Sequence, residues 1–188
     1  MSSEFREGQL RFQFSDEWYV VKYDGHRDYS AEMARLQGTK AVDFIALLEA
    51  QPAAEMLWME VKDFRGYRIQ NKARQFDGEL AAELGEKVRD SIAGLVGAWQ
   101  RSSTPDVWLP FIERLSQREP PMKVLLWLED DPPPPGGTRN ATLTERVRIR
   151  LLKERLRWLT TKVIVASLAT RNWPKGMKVS NLPGAGRP

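Results

Sequence analysis

Asp43, Glu60 and Lys62 are the residues of this sequence whose types and spacing could do chemistry together. Glu60 and Lys62 stand inside Leu57-Trp58-Met59-Glu60-Val61-Lys62-Asp63-Phe64, a short apolar run closed off by Gly66. Such a run reads as a buried strand. Residues two apart on a strand project from one face, so this carboxylate and this ammonium are neighbours. Burying charge in a sheet costs several kcal/mol unless the charges are paired or hold a metal. An isolated Glu-x-Lys is most simply a paired polar face on an edge strand. With a second carboxylate beside it, the same pair becomes a hard-oxygen site suited to Mg²⁺ or Mn²⁺. A lysine next to a bound ion can orient or deprotonate a water.

The second carboxylate is Asp43, near the start of Lys40–Leu48, another apolar strand. The loop Glu49–Glu55 joins the two runs. Consecutive strands joined by a short loop in an α/β sheet are usually neighbours. Asp43 and Glu60 are therefore expected to converge at one end of a sheet, with Lys62 beside them.

Asp43 followed by Glu60-x-Lys62, each in an apolar strand and with a helix after the second, resembles the PD-(D/E)xK nuclease superfamily, the restriction-endonuclease-like fold. The resemblance spans about 18–130 and rests on three residues and their strand context; Val42 stands where many members carry proline. It implies a core of helix, three strands, helix and strand, within an α/β chain whose central mixed sheet is flanked by helices. It implies that Asp43, Glu60 and the Val61 carbonyl hold Mg²⁺ or Mn²⁺, and that Lys62 positions the attacking water. The implied activity is phosphodiester hydrolysis, on DNA ahead of RNA, in roles such as restriction, repair or phage defence. The alternatives are a catalytically silent subunit of this fold that binds nucleic acid, and an interaction protein docking an acidic partner.

The 188 residues suit one domain with a full core, expected over 1–170, and a flexible tail over 171–188. Cysteine is absent, which excludes disulfides and cysteine zinc sites and suits the cytoplasm. The single histidine, His26, rules out a His-rich metal centre and reads as a loop residue beside Gly25. The polar start at Met1–Gly8 has no signal-peptide core, and no apolar run approaches the ~18 residues of a membrane span.

Around the two site strands, Leu10, Phe12 and Phe14 alternate with polar residues as a strand, and Trp18–Tyr23 is a second; the pair is expected to form a hairpin. Ser30 can cap a short helix, Ala31–Leu36. Leu80, Leu84, Val88, Ile92, Leu95 and Trp99 recur at helical spacing, so a long helix runs from about Gly78 to Gln100. Glu79, Glu83 and Glu86 fall mostly on its solvent face, with a reach to the metal by one of them as the alternative. A short helix over Trp108–Leu115 and an apolar, interior strand over Lys123–Leu128 follow. Pro132–Pro135 reads as an exposed loop, and Thr142-Leu143-Thr144-Glu145 as a capping box that starts a last helix before a strand over Lys162–Leu168.

Charge is uneven. Arg139 to Lys162 carries eight Arg or Lys against Glu145 and Glu154, a local +6 in a chain of +4. At about 100° per residue, Arg146, Arg150, Lys153 and Arg157 form one stripe, with Val147, Leu151, Leu152, Leu156 and Leu159 on a broad apolar side. Arg65, Arg68, Lys72 and Arg74, with Tyr67 among them, leave the Glu60 strand directly. Basic groups with an aromatic suit phosphate contacts and base stacking. A solvated helix face and a plain soluble loop are the simpler readings of the two groups. The expected partner is nucleic acid, DNA first. Target recognition would come from a homodimer, a larger partner or the shape of the nucleic acid, because nothing here reads as a second domain.

Overall fold

The computed structural model describes residues 2–49, 54–66, 78–131 and 141–184. Among them are eight strands: β1 (Ser3–Glu7), β2 (Leu10–Phe14), β3 (Trp18–Lys22), β4 (Phe44–Leu48), β5 (Glu55–Asp63), β6 (Lys123–Glu129), β7 (Val163–Ala166) and β8 (Met177–Asn181). The helices are α1 (Arg27–Ala31), α2 (Glu79–Arg101), α3 (Leu109–Leu115) and α4 (Ala141–Leu156), with single 3₁₀ turns at Met33–Arg35 and Pro105–Val107. The chain is thus mixed α/β, as the sequence predicts.

The larger sheet has the order β3-β4-β5-β6-β7. β4 is antiparallel to both its neighbours, β3 and β5, and β6 and β7 continue in parallel with β5. β4 and β5 are neighbours as expected, with Phe44 opposite Met59. The period-two alternation of β5 divides its side chains between two cores. Met56 and Trp58 face α2, α3 and α4, meeting Leu80, Leu84, Val88, Phe111 and Leu152. Leu57, Met59 and Val61 face the other way, onto Leu10, Phe12, Phe14 and Met177 of a second sheet. That sheet is antiparallel, in the order β1-β2-β8.

Three expectations are corrected here. β2 does not form a hairpin with β3; it pairs with β1 through the turn at Gly8 (φ +56°) and with β8 on its other edge. The amide of Ser15 is bound to the Gly176 carbonyl, so the chain leaves β2 for the other sheet at that point. The segment read as a tail contains β8, whose Met177 is buried in the second core. The first helix starts earlier than expected, at Arg27, and its cap is His26, whose Nδ1 accepts from the Asp28 amide (3.2 Å), while Ser30 lies inside it.

α2 follows its predicted bounds closely. A Cβ at Gly94 would fall 2.2 Å from the Tyr23 hydroxyl oxygen, so that glycine is the close approach between α2 and the sheet. At Gly85 the neighbour is α4, through Arg155 (3.6 Å). Among the described residues no helix is long and apolar enough to cross a membrane.

Candidate functional site

Asp43 sits one residue before β4, where the strand has not yet begun but its backbone is already tied in: the Asp43 carbonyl accepts from the Tyr23 amide (2.8 Å). Its carboxylate Oδ2 accepts from the Val61 amide (2.6 Å), reaching across to β5. The side chain is thereby held against the strand that carries Glu60 and Lys62. Asp43 is only 6% exposed and Glu60 only 1%.

Glu60 shares the helix-facing side of β5 with Trp58, beneath the first turns of α2. Its Oε1 accepts from two ammonium groups, Lys87 Nζ of α2 (2.6 Å) and Lys62 Nζ (2.9 Å). Lys62 is bound in turn by Glu83 of α2 (2.7 Å). Glu83 and Lys87 are four apart, so one face of the helix brings both over β5. The second Glu60 oxygen, Oε2, is buried with no hydrogen-bond partner. Orphaned buried acceptors of this kind are uncommon and costly.

Beside Asp43 lies a second group of charges. One carboxylate oxygen each of Glu7, Asp24 and Asp43 falls within 4.8 Å of the others, close enough to share an ion. Lys22 Nζ bridges Glu7 Oε2 (2.6 Å) and Asp24 Oδ1 (2.9 Å) and stands over the Phe44 ring. Glu7 comes from β1 and Asp24 from just past β3, so the end of the smaller sheet contributes an acid to the end of the larger one.

These surroundings set the protonation states. Burial, then the Glu60 charge, pushes the Asp43 carboxyl from 3.8 up to about 7, against the Val61 hydrogen bond and Lys87, which pull it down. Burial also raises Glu60, with Lys87 and Lys62 partly offsetting it. For Lys62, burial acts to lower the pKa, but Glu60 and Glu83 outweigh it and the net shift is upward. Lys62 therefore carries its proton at neutral pH. In this state it can orient a water or steady an anion; it cannot abstract a proton.

The predicted nucleic-acid residues fall into three sets. Arg146, Arg150 and Lys153 of α4 and Arg157 just past its end are all exposed and, with Ile149 and Glu154, line an open groove of about 440 Å³. Arg65 is engaged within the protein, by Asp63 (2.5 Å) and by Asn181 of β8 (2.6 Å). It serves to tie β5 to the smaller sheet. Tyr67, Arg68, Lys72 and Arg74 lie outside the described residues, as does Pro132–Pro135. A further cleft of about 420 Å³, lined by Arg27, Glu32, Gly97, Arg101 and Ser103 among others, opens at the far end of α2 from Lys87.

Lys87, Lys22, Glu7 and Asp24 are the site neighbours that the sequence reading did not reach, and Glu83 was assigned mainly to solvent. The i, i+4 pair Glu83–Lys87, flanking the apolar stripe of α2, is the one signal that could have pointed to them. The other three depend on which sheet end meets which.

No protein-family model matches the chain, and no solved structure matches it. Among curated proteins it is similar to a cysteine–tRNA ligase of Neisseria meningitidis serogroup A, with 29% identity over 119 residues, covering 49% of this chain and 16% of the ligase. The chain thus corresponds to a small part of that protein.

Proposed function

We propose that this chain is a metal-dependent nuclease of the restriction-endonuclease-like fold, hydrolysing phosphodiesters of DNA ahead of RNA. The observation that carries the reading is a pair of buried carboxylates, Asp43 tied to the Val61 amide and Glu60 one residue before it, whose charges act on each other, with Lys62 on Glu60 and a Glu60 oxygen left without a donor. The strand order supports it: antiparallel β3, β4 and β5 with β6 parallel to β5 is compatible with the expected core. The helix before the first core strand has no counterpart at that place, since α1 follows β3.

Asp43, Glu60 and the Val61 carbonyl would hold Mg²⁺ or Mn²⁺. When bound, the ion supplies a lowered pKa for water and charge stabilisation at a phosphoryl oxygen. The donor set fits: the partnerless Glu60 Oε2 is a buried acceptor in need of a positive partner, and the raised Asp43 pKa marks a carboxylate short of one. Lys62 has three N–H donors. Two meet Glu60 and Glu83, which fix the ammonium in place. The third can align an attacking water or bind the phosphoryl oxygen as charge builds on it. The Arg146, Arg150, Lys153 and Arg157 stripe runs along α4 and just past its end, and α4 packs beside α2 on the same face of the sheet. It would hold the backbone phosphates while Lys62 faces the scissile one.

The test is incubation with supercoiled plasmid, linear duplex, single strands and RNA, in Mg²⁺, Mn²⁺ or EDTA. The RNA arm includes tRNA, since the similar ligase is named for it. Cleavage is expected with either metal and not in EDTA. Asp43→Ala, Glu60→Ala and Lys62→Ala should each abolish it while leaving nucleic-acid binding near the wild-type level. Because the three act as one unit, double variants should be scarcely worse than singles.

A second reading has its own observation. Two lysines already meet one Glu60 oxygen, as they would in a purely structural network. On that reading the chain is a silent subunit that binds nucleic acid. It is preferred if no substrate is cut and millimolar Mg²⁺ and Mn²⁺ leave the thermal melt unchanged.

A further inference from the structure

Lys87 plays no part in the chemistry outlined above, yet it makes the shortest contact to Glu60. Its ammonium is 2.6 Å from Glu60 Oε1 and its side chain is 16% exposed, against 1% for Glu60. The other lysine on that oxygen, Lys62, is held independently by Glu83. Release from Glu60 would thus leave Lys62 with a carboxylate partner, whereas Lys87 can swing to solvent from the helix surface. The positive charge of Lys87 is felt at both buried carboxylates, Asp43 and Glu60. It touches Glu60 and acts on Asp43 through charge alone.

We propose that the Lys87 ammonium is a resident counter-ion of the Asp43–Glu60 pair that a divalent cation must displace, so that α2 sets how tightly the site takes metal. The inference rests on the metal-site reading above and deepens it. Two lysines on one oxygen leave Glu60 Oε2 partnerless. An ion on Oε2 would sit across one carboxylate from the ammonium that Lys87 holds 2.6 Å from Oε1, and the two positive charges repel. Metal and Lys87 therefore compete, and each weakens the other by the same factor. An anion that draws Lys87 away, such as a phosphate of a bound strand, relieves the competition and favours loading.

The experiment measures Mn²⁺ binding to the full chain by calorimetry and by the electron paramagnetic resonance of free Mn²⁺. Wild type, Lys87→Met, Lys87→Arg and Asp43→Asn are compared, with cooperative melts in EDTA confirming that each folds. Lys87→Met should bind Mn²⁺ roughly ten- to a hundredfold more tightly than wild type, the worth of one charge-assisted hydrogen bond. Lys87→Arg should stay near wild type, and Asp43→Asn should bind weakly. Equal or weaker binding by Lys87→Met, with wild-type binding dependent on Asp43, overturns the competition and leaves the metal site standing. Absence of Asp43-dependent Mn²⁺ binding in both proteins overturns the metal reading itself, and this proposal with it. A measurement on unaltered protein stands independently of any variant's folding. In lysine-selective ¹⁵N spectra, Mg²⁺ should shift the Lys87 ammonium resonance; an unmoved resonance at saturating Mg²⁺ overturns the proposal.

Discussion

Replacing Asp43 by asparagine should stabilise this protein above neutral pH, although it removes a buried residue's charge from a packed site. Burial and the neighbouring Glu60 raise the Asp43 pKa from 3.8 to about 7. That is about three units at roughly 1.4 kcal/mol each, so ionising Asp43 in the folded chain costs on the order of 4 kcal/mol. The sign follows from proton counting. Between about pH 4 and pH 7 the folded chain holds a proton on Asp43 that the unfolded chain has released. The stability this proton confers is complete below the unfolded pKa. It falls as pH climbs through the folded value, and is lost above about 7. Asparagine is neutral throughout, and its amide oxygen can still accept from the Val61 amide, the bond Asp43 makes at 2.6 Å. Thermal melts of both proteins in EDTA, from pH 4 to pH 8, read the difference. At about 2–4 °C per kcal/mol for a chain of this size, Asp43→Asn should melt on the order of 10 °C higher at pH 8. The gap should close towards pH 4. Mg²⁺ at pH 8 should raise the wild type and leave Asp43→Asn where it was. Melting curves that run parallel across pH, or an asparagine variant that is less stable at pH 8, would refute the claim that Asp43 is a desolvated, like-charge-crowded carboxylate.

Arg146→Glu combined with Arg150→Glu should weaken nucleic-acid binding, and wild-type affinity should fall steeply with salt, because phosphate contacts release counterions; filter-binding isotherms unchanged by the double reversal would make the stripe a solvated face. Gly94→Ala should lower the melting temperature through overpacking, by about 1–3 kcal/mol, since its Cβ would meet the Tyr23 hydroxyl oxygen at 2.2 Å. Tyr23→Phe removes a buried hydroxyl that has no partner, so it should be close to neutral alone and should recover part of the Gly94→Ala loss.

The parts of the site that sequence could reach were those governed by short-range periodicity. Period-two alternation placed Glu60 and Lys62 on one face, and they form a 2.9 Å ion pair there. The short loop made β4 and β5 neighbours, and Asp43 does reach β5, though through the Val61 amide. Helical spacing put Arg146, Arg150, Lys153 and Arg157 together, and all four are exposed. Alternation says that a strand has a buried face; it does not say against which sheet. That is why the pattern suggests a β2–β3 hairpin although the partners of β2 are β1 and β8. β1 offers only Phe5 as an apolar residue, and β8 has Met177 and Val179 in a stretch rich in Gly, Pro and Lys. Neither carries enough hydrophobic signal to read as a strand. Both are strands because β2 supplies a hydrogen-bonding edge on each side. Glu7 reaches the site only through that assembly, and Lys22 and Asp24 only because β3 ends beside β4, so no local pattern gathers these three.

The way these charges are paired bears on which reading of the site is preferred. Among the described side chains that touch or crowd the Asp43–Glu60 pair, the acids are Glu7, Asp24, Asp43, Glu60 and Glu83, and the lysines are Lys22, Lys62 and Lys87. Among these acids, Asp43 and the Oε2 oxygen of Glu60 have no ammonium against them among the described contacts. A network that only knits β5 to α2 would be expected to pair both, since uncompensated buried charge is what makes buried ion pairs costly. A proton can cover Asp43, whose carboxyl is raised to about 7, but it leaves Glu60 Oε2 without a donor. On the reading proposed above, one divalent cation would neutralise Asp43 and give that oxygen a partner, with a proton and a lysine holding the site shut in its absence; the pH dependence of Asp43→Asn and the Mn²⁺ affinity of Lys87→Met probe those two closures separately.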